Sequence, residues 1–549
     1  MRSIEMIKQD SRHLRGRLYE EVFLDRDSGV SEDSRQLLKF FGMYQQQDRD
    51  IKKKVGHETP YTFMIRVATP GGVMSSEQYL TLADMSEDLA QAQLRLTTRQ
   101  SVQIHGVSKN HLASLVTRLI KSDLTSLSGC GDVVRNLVAC PLPDHGGVRD
   151  TLREIALGLS QRLKPLSHSY LELFVAREKV FDIVEEEPLY GDRYLPRKFK
   201  IGMTVAGDNC VDIYSHDLGL VYHPSLESWT VLVGGGLAQS HGVVRTHALL
   251  AQPLGQIPTH LLIQAVEAVI GIQRDFGNRD DRRIARMKYL VESWGLERFR
   301  QLVETRMEAP FDAPMELGWE SATDHLVNDE DSSVLGVKLP WGRIHNTSEV
   351  PWALALRDVV KSLRPKIHIT PQQNILLTDL DPGAKTEAVR ILASYGVNSP
   401  RDLSPFRRYA LACPALPTCT LALTEAERVV DQVIGQIESW WTEAGLEPLD
   451  LRIRMTGCPN NCARPFLAEI GLVGASPGRY HVYVGGSAQG TRLARLAAER
   501  VSIEDLKTVL LPLFCQYHET RLKTESFGDW CARCEIGKPP RAHENHEGG

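Results

Sequence analysis

The chain has 549 residues, 42% hydrophobic and 24% charged, with a formal net charge of −5. That length gives room for several domains of ordinary globular composition. The acidic balance argues against nucleic-acid binding, and no apolar run approaches the length of a membrane span. The charged stretch from Met1 to Glu21 lacks the apolar core of a signal peptide. The sequence therefore reads as cytoplasmic, where thiols stay reduced and free to bind metal.

In chain order, residues 1–54 form an N-terminal arm that either docks a partner or wraps the fold. Residues 55–125 alternate strand and helix: strand Tyr61–Ala68, helix Ser76–Leu89, a second strand Leu94–His105 and helix Lys109–Lys121. Residues 130–305 carry strands at Ser169–Ala176 and Phe199–Thr204 and a helix at Thr259–Phe276. The chain then repeats itself. Leu96-Thr-Thr-Arg-Gln-Ser-Val-Gln-Ile104 is echoed by Ile369-Thr-Pro-Gln-Gln-Asn-Ile-Leu-Leu377, and Ala139-Cys-Pro by Ala412-Cys-Pro, so that Cys140 and Cys413 stand 273 residues apart. Lys200-Ile-Gly-Met-Thr204 is echoed by Arg452-Ile-Arg-Met-Thr456, and Val231-Leu-Val-Gly-Gly235 by Val482-Tyr-Val-Gly-Gly486. The period is too long for a solenoid. It implies two fused copies of one unit about a pseudo-twofold axis, the second copy occupying residues 330–396 and 400–535. The polar tail, 536–549, reads as disordered.

Four of the ten cysteines fall in two close pairs, Cys413 with Cys419 and Cys458 with Cys462. Two such pairs suit a four-thiolate site for zinc or an iron–sulfur cluster. Five and three intervening residues open the loops wider than the usual zinc spacing, which fits a cubane better than a single ion. Pro459 is placed to start a helix whose free amides would face the sulfurs. Structural thiols or disulfides are the plainer alternative. Cys531 and Cys534 form a C-x-x-C with no second pair nearby and read as incidental exposed thiols. Cys130, Cys210 and Cys515 read as ordinary core or surface thiols.

Cys-x5-Cys followed by Gly457-Cys-Pro-Asn-Asn-Cys462 resembles the siroheme and 4Fe-4S sulfite and nitrite reductases. The resemblance covers nearly the whole chain, including Gly42-Met-Tyr-Gln-Gln-Gln-Asp-Arg-Asp50, Thr69-Pro-Gly-Gly72, Leu96-Thr-Thr-Arg-Gln100, Tyr194-Leu-Pro-Arg-Lys-Phe-Lys200, Val233-Gly-Gly-Gly236 and Gln273-Arg-Asp-Phe-Gly-Asn-Arg279. It leans to the hemoprotein subunits of assimilatory sulfite reductases. It implies an α+β fold, internally duplicated, with two ferredoxin-like half-domains and two siroheme/4Fe-4S-binding domains around the pseudo-twofold axis. It implies that Cys413, Cys419, Cys458 and Cys462 bind the cubane, with Cys462 also bridging to the siroheme iron, and that sulfite is reduced to sulfide by six electrons delivered singly.

Siroheme is rich in carboxylates and deprotonated sulfite is a dianion, so the site needs fixed positive charge. By match to the family, Arg66, Arg135, Lys198 and Lys200 meet the substrate. The arginines would hold its oxygens, and the lysines, on one face of a strand by period two, would donate protons. Arg95, Arg99, Gln103, Arg279, Arg283, Arg286 and Lys288 are expected at the cofactor carboxylates. Gly235, in the Gly234–Gly236 run, would let backbone approach the flat macrocycle. His105 reads more simply as a core histidine. Nitrite reductase is the nearest rival, but that family typically has Asn at the position of Lys200. A non-catalytic metal module would leave the cations unexplained. No Gly-x-Gly-x-x-Gly follows a strand and no flavin segment is recognisable, so electrons are expected from a flavoprotein subunit that oxidises NADPH, or from ferredoxin.

Overall fold

The computed structural model describes residues 2–24, 29–51, 61–144, 147–176, 186–323, 325–327, 331 and 333–539. Of the tail at 536–549, expected to be disordered, residues 536–539 are ordered, Lys538 bridging antiparallel to Leu496, and the rest lies outside the described residues.

The repeat in the sequence is a repeat in topology. The first copy begins with the antiparallel neighbours Thr62–Val67, Val102–Val107 and Leu94–Leu96, and the second with Leu335–Val337, Ile375–Thr378 and Lys366–Ile369 in the same order. The copies exchange strands. Val73–Met74 of the first pairs with Lys366–Ile369, and Arg343–Ile344 of the second pairs with Leu94–Leu96. Each copy then builds a five-stranded sheet with one pattern: two parallel pairings followed by two antiparallel ones. The first runs Val138–Ala139, Ile201–Val205, Leu218–His223, Ser228–Val233, Gln252–Pro258; the second runs Leu411–Ala412, Ile453–Thr456, Ile470–Ser476, Arg479–Val484, Arg495–Val501.

Local chemistry sets the boundaries. Helix Ser76–Leu89 starts where predicted because Ser75 and Gln78 form a reciprocal capping box. The predicted strand Leu94–His105 is instead two antiparallel strands. Residues 97–101 form a tight turn, closed by Gln100 N to Thr97 O at 3.0 Å, with Gln100 at φ 52°. Ser169–Ala176 is helical rather than extended, because Tyr170, Leu173 and Phe174, spaced three and four apart, bury one face. The strand predicted at Phe199 begins at Ile201; Lys198 and Lys200 flank Phe199, which bridges in parallel to Val134.

One apolar core runs from Ile7 to Val397, and the second copy's large sheet has its own, centred on Trp441 against Phe406, Phe514, Tyr517 and Phe527. The N-terminal arm wraps the fold. Strand Met43–Gln46 joins the first sheet, buried Lys8 donates to Leu195 O, and Arg49 Nη1 donates to the carbonyls of Cys419 and Ala422. Cys531 is buried on helix Phe527–Arg533 rather than exposed, while Cys534 is exposed. No helix among the described residues is long and apolar enough to cross a membrane.

Asp212 and Arg464 occupy equivalent positions in the two copies and face each other across the axis, with Nε 2.6 Å from Oδ2; Arg454 Nη1 donates to the same oxygen at 2.9 Å. All three are buried. Asp212→Asn leaves two guanidinium groups without their counter-charge and should lower stability by about 3–5 kcal/mol, read as a fall in the urea midpoint. Asn tolerates the left-handed backbone at this position (φ 52°), so strain does not confuse the result. Burial would raise the Asp212 pKa, but Arg454, Arg464 and Arg452 hold it below the ordinary carboxylate value. Its stabilisation is therefore present above the unfolded pKa of about 3.9 and lost as pH falls through the lower folded value. An unchanged midpoint in the variant would show that this pair does not join the copies.

Candidate active site and metal centre

Cys413 directly follows Leu411–Ala412 and Cys458 closely follows Ile453–Thr456, so two parallel strand ends deliver these thiols side by side. Cys419 and Cys462 come from the turns beyond. Gly457 N donates to Cys413 Sγ at 3.3 Å and Asn460 Nδ2 lies 3.6 Å from Cys458 Sγ. Backbone amides of Leu421 and Ala422 serve Cys419. No helix starts at Pro459: residues 458–464 are turns, with Asn461 and Arg464 left-handed at φ 55° and 57°. The expected helix dipole is replaced by individual amides. Burial, then repulsion from Cys462, pushes the Cys413 and Cys458 thiols up, Cys458 to about 11, a penalty that a bound metal cluster removes.

A single tetrahedral zinc draws its thiolates to about 3.8 Å of one another. Among the described residues, the one group of three or more Cys, His, Asp or Glu ligand atoms gathered within 4.8 Å is elsewhere in the chain. The four cysteine sulfurs are therefore not gathered, three or more together, as tightly as around a single tetrahedral ion.

Cys413 and Cys458 are buried; Cys462 is exposed, into a cleft between the copies. Thr98, Arg99, Lys200, Ser215 and His216 of the first copy line it opposite Asn460, Asn461, Cys462 and Arg464 of the second, with Leu237 and Ala238 alongside. The turn at residues 97–101 closes on the cysteine loop: Thr98 Oγ1 donates to Cys462 O at 2.9 Å and Arg464 Nη1 to Thr98 O at 3.3 Å. Among the described residues, buried lining atoms without a hydrogen-bond partner include Arg99 Nε, His216 Nδ1 and Asn461 Oδ1. Of these, Arg99 Nε is the donor open to an anionic ligand; Asn461 Oδ1 accepts, and His216, whose Nε2 donates to Val211 O at 3.1 Å, presents Nδ1 as an acceptor.

Behind the lining stands a cationic patch. Arg135 N donates to Phe199 O at 2.9 Å, which sets Arg135 beside Lys198 and Lys200. Arg135 itself donates to Gly131 O and Gly129 O. Among the described residues, the side chains of Lys198 and Lys200 have no hydrogen-bond or ion-pair partner. Burial first, then Arg197 and Lys200, holds Lys198 well below the usual lysine range. Burial, Arg286 and Arg99 do the same to Lys200, while Asp217 and Cys462 pull it up. Burial and Arg135 bring Arg99 down to about 9. Cations compressed this way are a receptor for anions. Arg66 sits in register with Gln103, which is in register with Arg95, so one sheet carries all three in a row. With its amide flipped, Gln103 accepts from Arg66 Nε at 3.0 Å.

Other expected cofactor contacts are committed to the protein. Arg95 is buried against Glu427 and Trp341 O. Arg286 grips Asp217 through two bonds of 3.0 and 2.7 Å, and Asp217 accepts from Lys200 N at 2.9 Å, so Arg286 positions Lys200. Lys288 holds the carbonyls of Gly236, Ala238 and His247. Arg279 turns away to Glu5 and Tyr194 O, and Arg283, half exposed, to Asp281. A Cβ on Gly235 would stand 2.3 Å from the carbonyls of Tyr214 and His216, so this glycine serves a backbone crossing within the protein. His105 is buried beside Gln103 and Gln46, as a core histidine.

Family models match most of this architecture. Residues 130–311 match the nitrite and sulphite reductase 4Fe-4S domain, and residues 55–122 and 325–395 match the nitrite/sulfite reductase ferredoxin-like half domain. The chain belongs to the nitrite and sulfite reductase family. Its α+β fold and 4Fe-4S chemistry are those of that family. The sulfite reductase (NADPH) hemoprotein beta-component of Staphylococcus haemolyticus is 36% identical, covering 97% of this chain and 95% of its own. The sulfite reductase (ferredoxin) of Synechococcus elongatus is 37% identical over 96% of this chain and 89% of its own. The solved structure of the Mycobacterium tuberculosis NirA protein superposes with a TM-score of 0.75 at 23% identity, covering 96% of this chain and 94% of that one, and shares the fold.

For a member of the nitrite and sulfite reductase family, the lining holds residues that the sequence reading passed over. Thr98, Asn461 and Arg464 lie within or beside quoted motifs, so their positions carried a signal. His216 carried none: only the packing of residues 214–216 under Gly235 brings it to the cleft.

Proposed function

We propose that this chain is the hemoprotein of an assimilatory sulfite reductase, reducing sulfite to sulfide. One observation carries the reading: Arg99 and Lys200 of the first copy share a cleft with the exposed thiol of Cys462 from the second. Siroheme, coupled to the 4Fe-4S cluster, supplies the electron-transfer chemistry when bound. Cys413, Cys419, Cys458 and Cys462 hold the cluster. Arg99, with its unpartnered Nε, meets the cofactor's carboxylates, and the Thr98–Cys462 and Arg464–Thr98 bonds fix the two walls. Arg66, Arg135, Lys198 and Lys200 bind the anionic substrate, and the two lysines deliver protons to its departing oxygens. The side-chain charge of Lys200 favours sulfite over the less charged nitrite. Relatives of similar identity are named for NADPH and for ferredoxin; electrons reach this chain from a separate donor, a flavoprotein subunit or ferredoxin.

The purified holoprotein should show a chlorin-like far-red band and turn over sulfite with a higher kcat/KM than nitrite under an artificial reductant. Lys200→Asn should reduce that preference. A colourless protein, or one that prefers nitrite, would overturn the reading; reconstitution with each donor separately identifies the physiological one.

A further inference from the structure

The first copy keeps two of the second copy's cysteine positions. Cys140 follows Val138–Ala139 as Cys413 follows Leu411–Ala412, and Cys210 stands 252 residues before Cys462, the offset that also separates Thr204 from Thr456. The position matching Cys458 is Ala206, so four thiolates cannot be assembled here. Two other residues take part instead. Ligand atoms of Cys140, Asp208, Cys210 and His325 all lie within 4.8 Å of one another. His325 Nε2 is 2.9 Å and Cys140 Sγ 3.4 Å from the same Asp208 oxygen. The first three residues are buried, and the His325 side chain is 12% exposed. The loop is built as its counterpart is: Gln372 Nε2 donates to Cys210 O at 2.8 Å, in the place where Thr98 caps Cys462.

We propose that the first copy holds a second metal centre, a single zinc-class divalent ion bound by Cys140 Sγ, Cys210 Sγ, an Asp208 carboxylate oxygen and His325 Nε2. The compactness is that of one tetrahedral ion and not of a cubane, and two sulfurs with an imidazole select zinc over magnesium or calcium. On binding, both thiols ligate as thiolates and His325 as the neutral imidazole with Nε2 deprotonated, and the protons displaced pass to solvent. Two thiolates and a carboxylate then balance the ion together with Arg149, whose Nη2 lies 3.4 Å from Asp208 Oδ2, so the buried cluster is neutral. Four protein ligands leave no open position, which makes the site structural. It pins the segment between the copies, where strand Trp319–Ser321 pairs with Gly207–Asp208, to the first copy's large sheet.

The test is metal analysis and zinc-edge X-ray absorption on the full-length holoenzyme, purified without chelator from zinc-supplemented culture. The expected result is about one zinc per chain beside the iron, with two sulfurs at about 2.3 Å and two nitrogen or oxygen ligands at about 2.0–2.2 Å. Cys210→Ser and His325→Ala should lose the zinc while iron content and the far-red band persist, which separates this result from a failure of the reductase assignment. Absence of stoichiometric zinc, a shell of sulfur alone or oxygen alone, zinc retained in both variants, or a Cys140–Cys210 disulfide on peptide mapping would each overturn the proposal. Should the variants not fold, the wild-type coordination shell decides.

Discussion

Cys462→Ser should end sulfide production while Cys515→Ser, on an exposed thiol, leaves it unchanged. Of the four cysteines in the two close pairs, Cys462 is the one exposed to the cleft, opposite Lys200 and Arg99. Cys413 and Cys458 are buried and Cys419 is half-buried, so in the proposed reading Cys462 is the ligand that presents the cluster to the cleft. A hydroxyl in place of this thiolate is a harder, poorer ligand for iron. Loss of a mere outer-shell partner costs a metal site about 10- to 100-fold, so loss of a direct ligand should reduce turnover by more than about 100-fold. Iron content and the far-red band, measured with sulfide formation, separate the causes. If iron is retained and turnover falls, Cys462 acts in electron delivery; if the serine variant makes sulfide at the wild-type rate, Cys462 is not the link between the cluster and the reacting centre.

The cysteine pairs and the duplication were legible because both are constrained at the level of residue type. Cluster ligands are thiolates, and the repeats kept their order, so the strands after Ala68 reappear at nearly constant offset. The Leu94–His105 run was not legible. Its residues favour extended backbone, and only the left-handed Gln100 breaks it, yet that break projects Thr98 and Arg99 into the cleft. Charge alone did not reveal direction either. Arg99 and Arg283 look alike in sequence, but one is half-buried on the cleft wall and the other is clamped to Asp281 at the surface. Cys210 read as an ordinary thiol because its partners, Cys140 and His325, are far away in the chain and meet it only through the fold. Side-chain partners across tens of residues are a property of packing, which a linear pattern does not encode.

Lys200→Met should lower kcat for sulfite by about 10²- to 10⁴-fold, the usual contribution of a positioned proton donor. Among the described residues Lys200 has no partner for its ammonium group, while its backbone is fixed through Asp217 and Arg286. The side chain is therefore placed but uncommitted, as a donor must be. Burial, Arg286 and Arg99 already hold its pKa well below the ordinary lysine value. A lysine so lowered gives up its proton more readily. Its protonated fraction falls as pH rises through that lowered value, so the wild-type rate should decline on the alkaline side, and a bound anion shifts the decline to higher pH. Lys200→Arg keeps a charge that cannot be given up at working pH. It should hold KM near the wild-type value, leave kcat low and remove the part of the alkaline decline that Lys200 contributes. A purely structural or purely electrostatic Lys200 would instead be rescued by arginine in kcat as well, and that outcome, or a Lys200→Met enzyme with undiminished kcat, would remove Lys200 from the proton-delivery step.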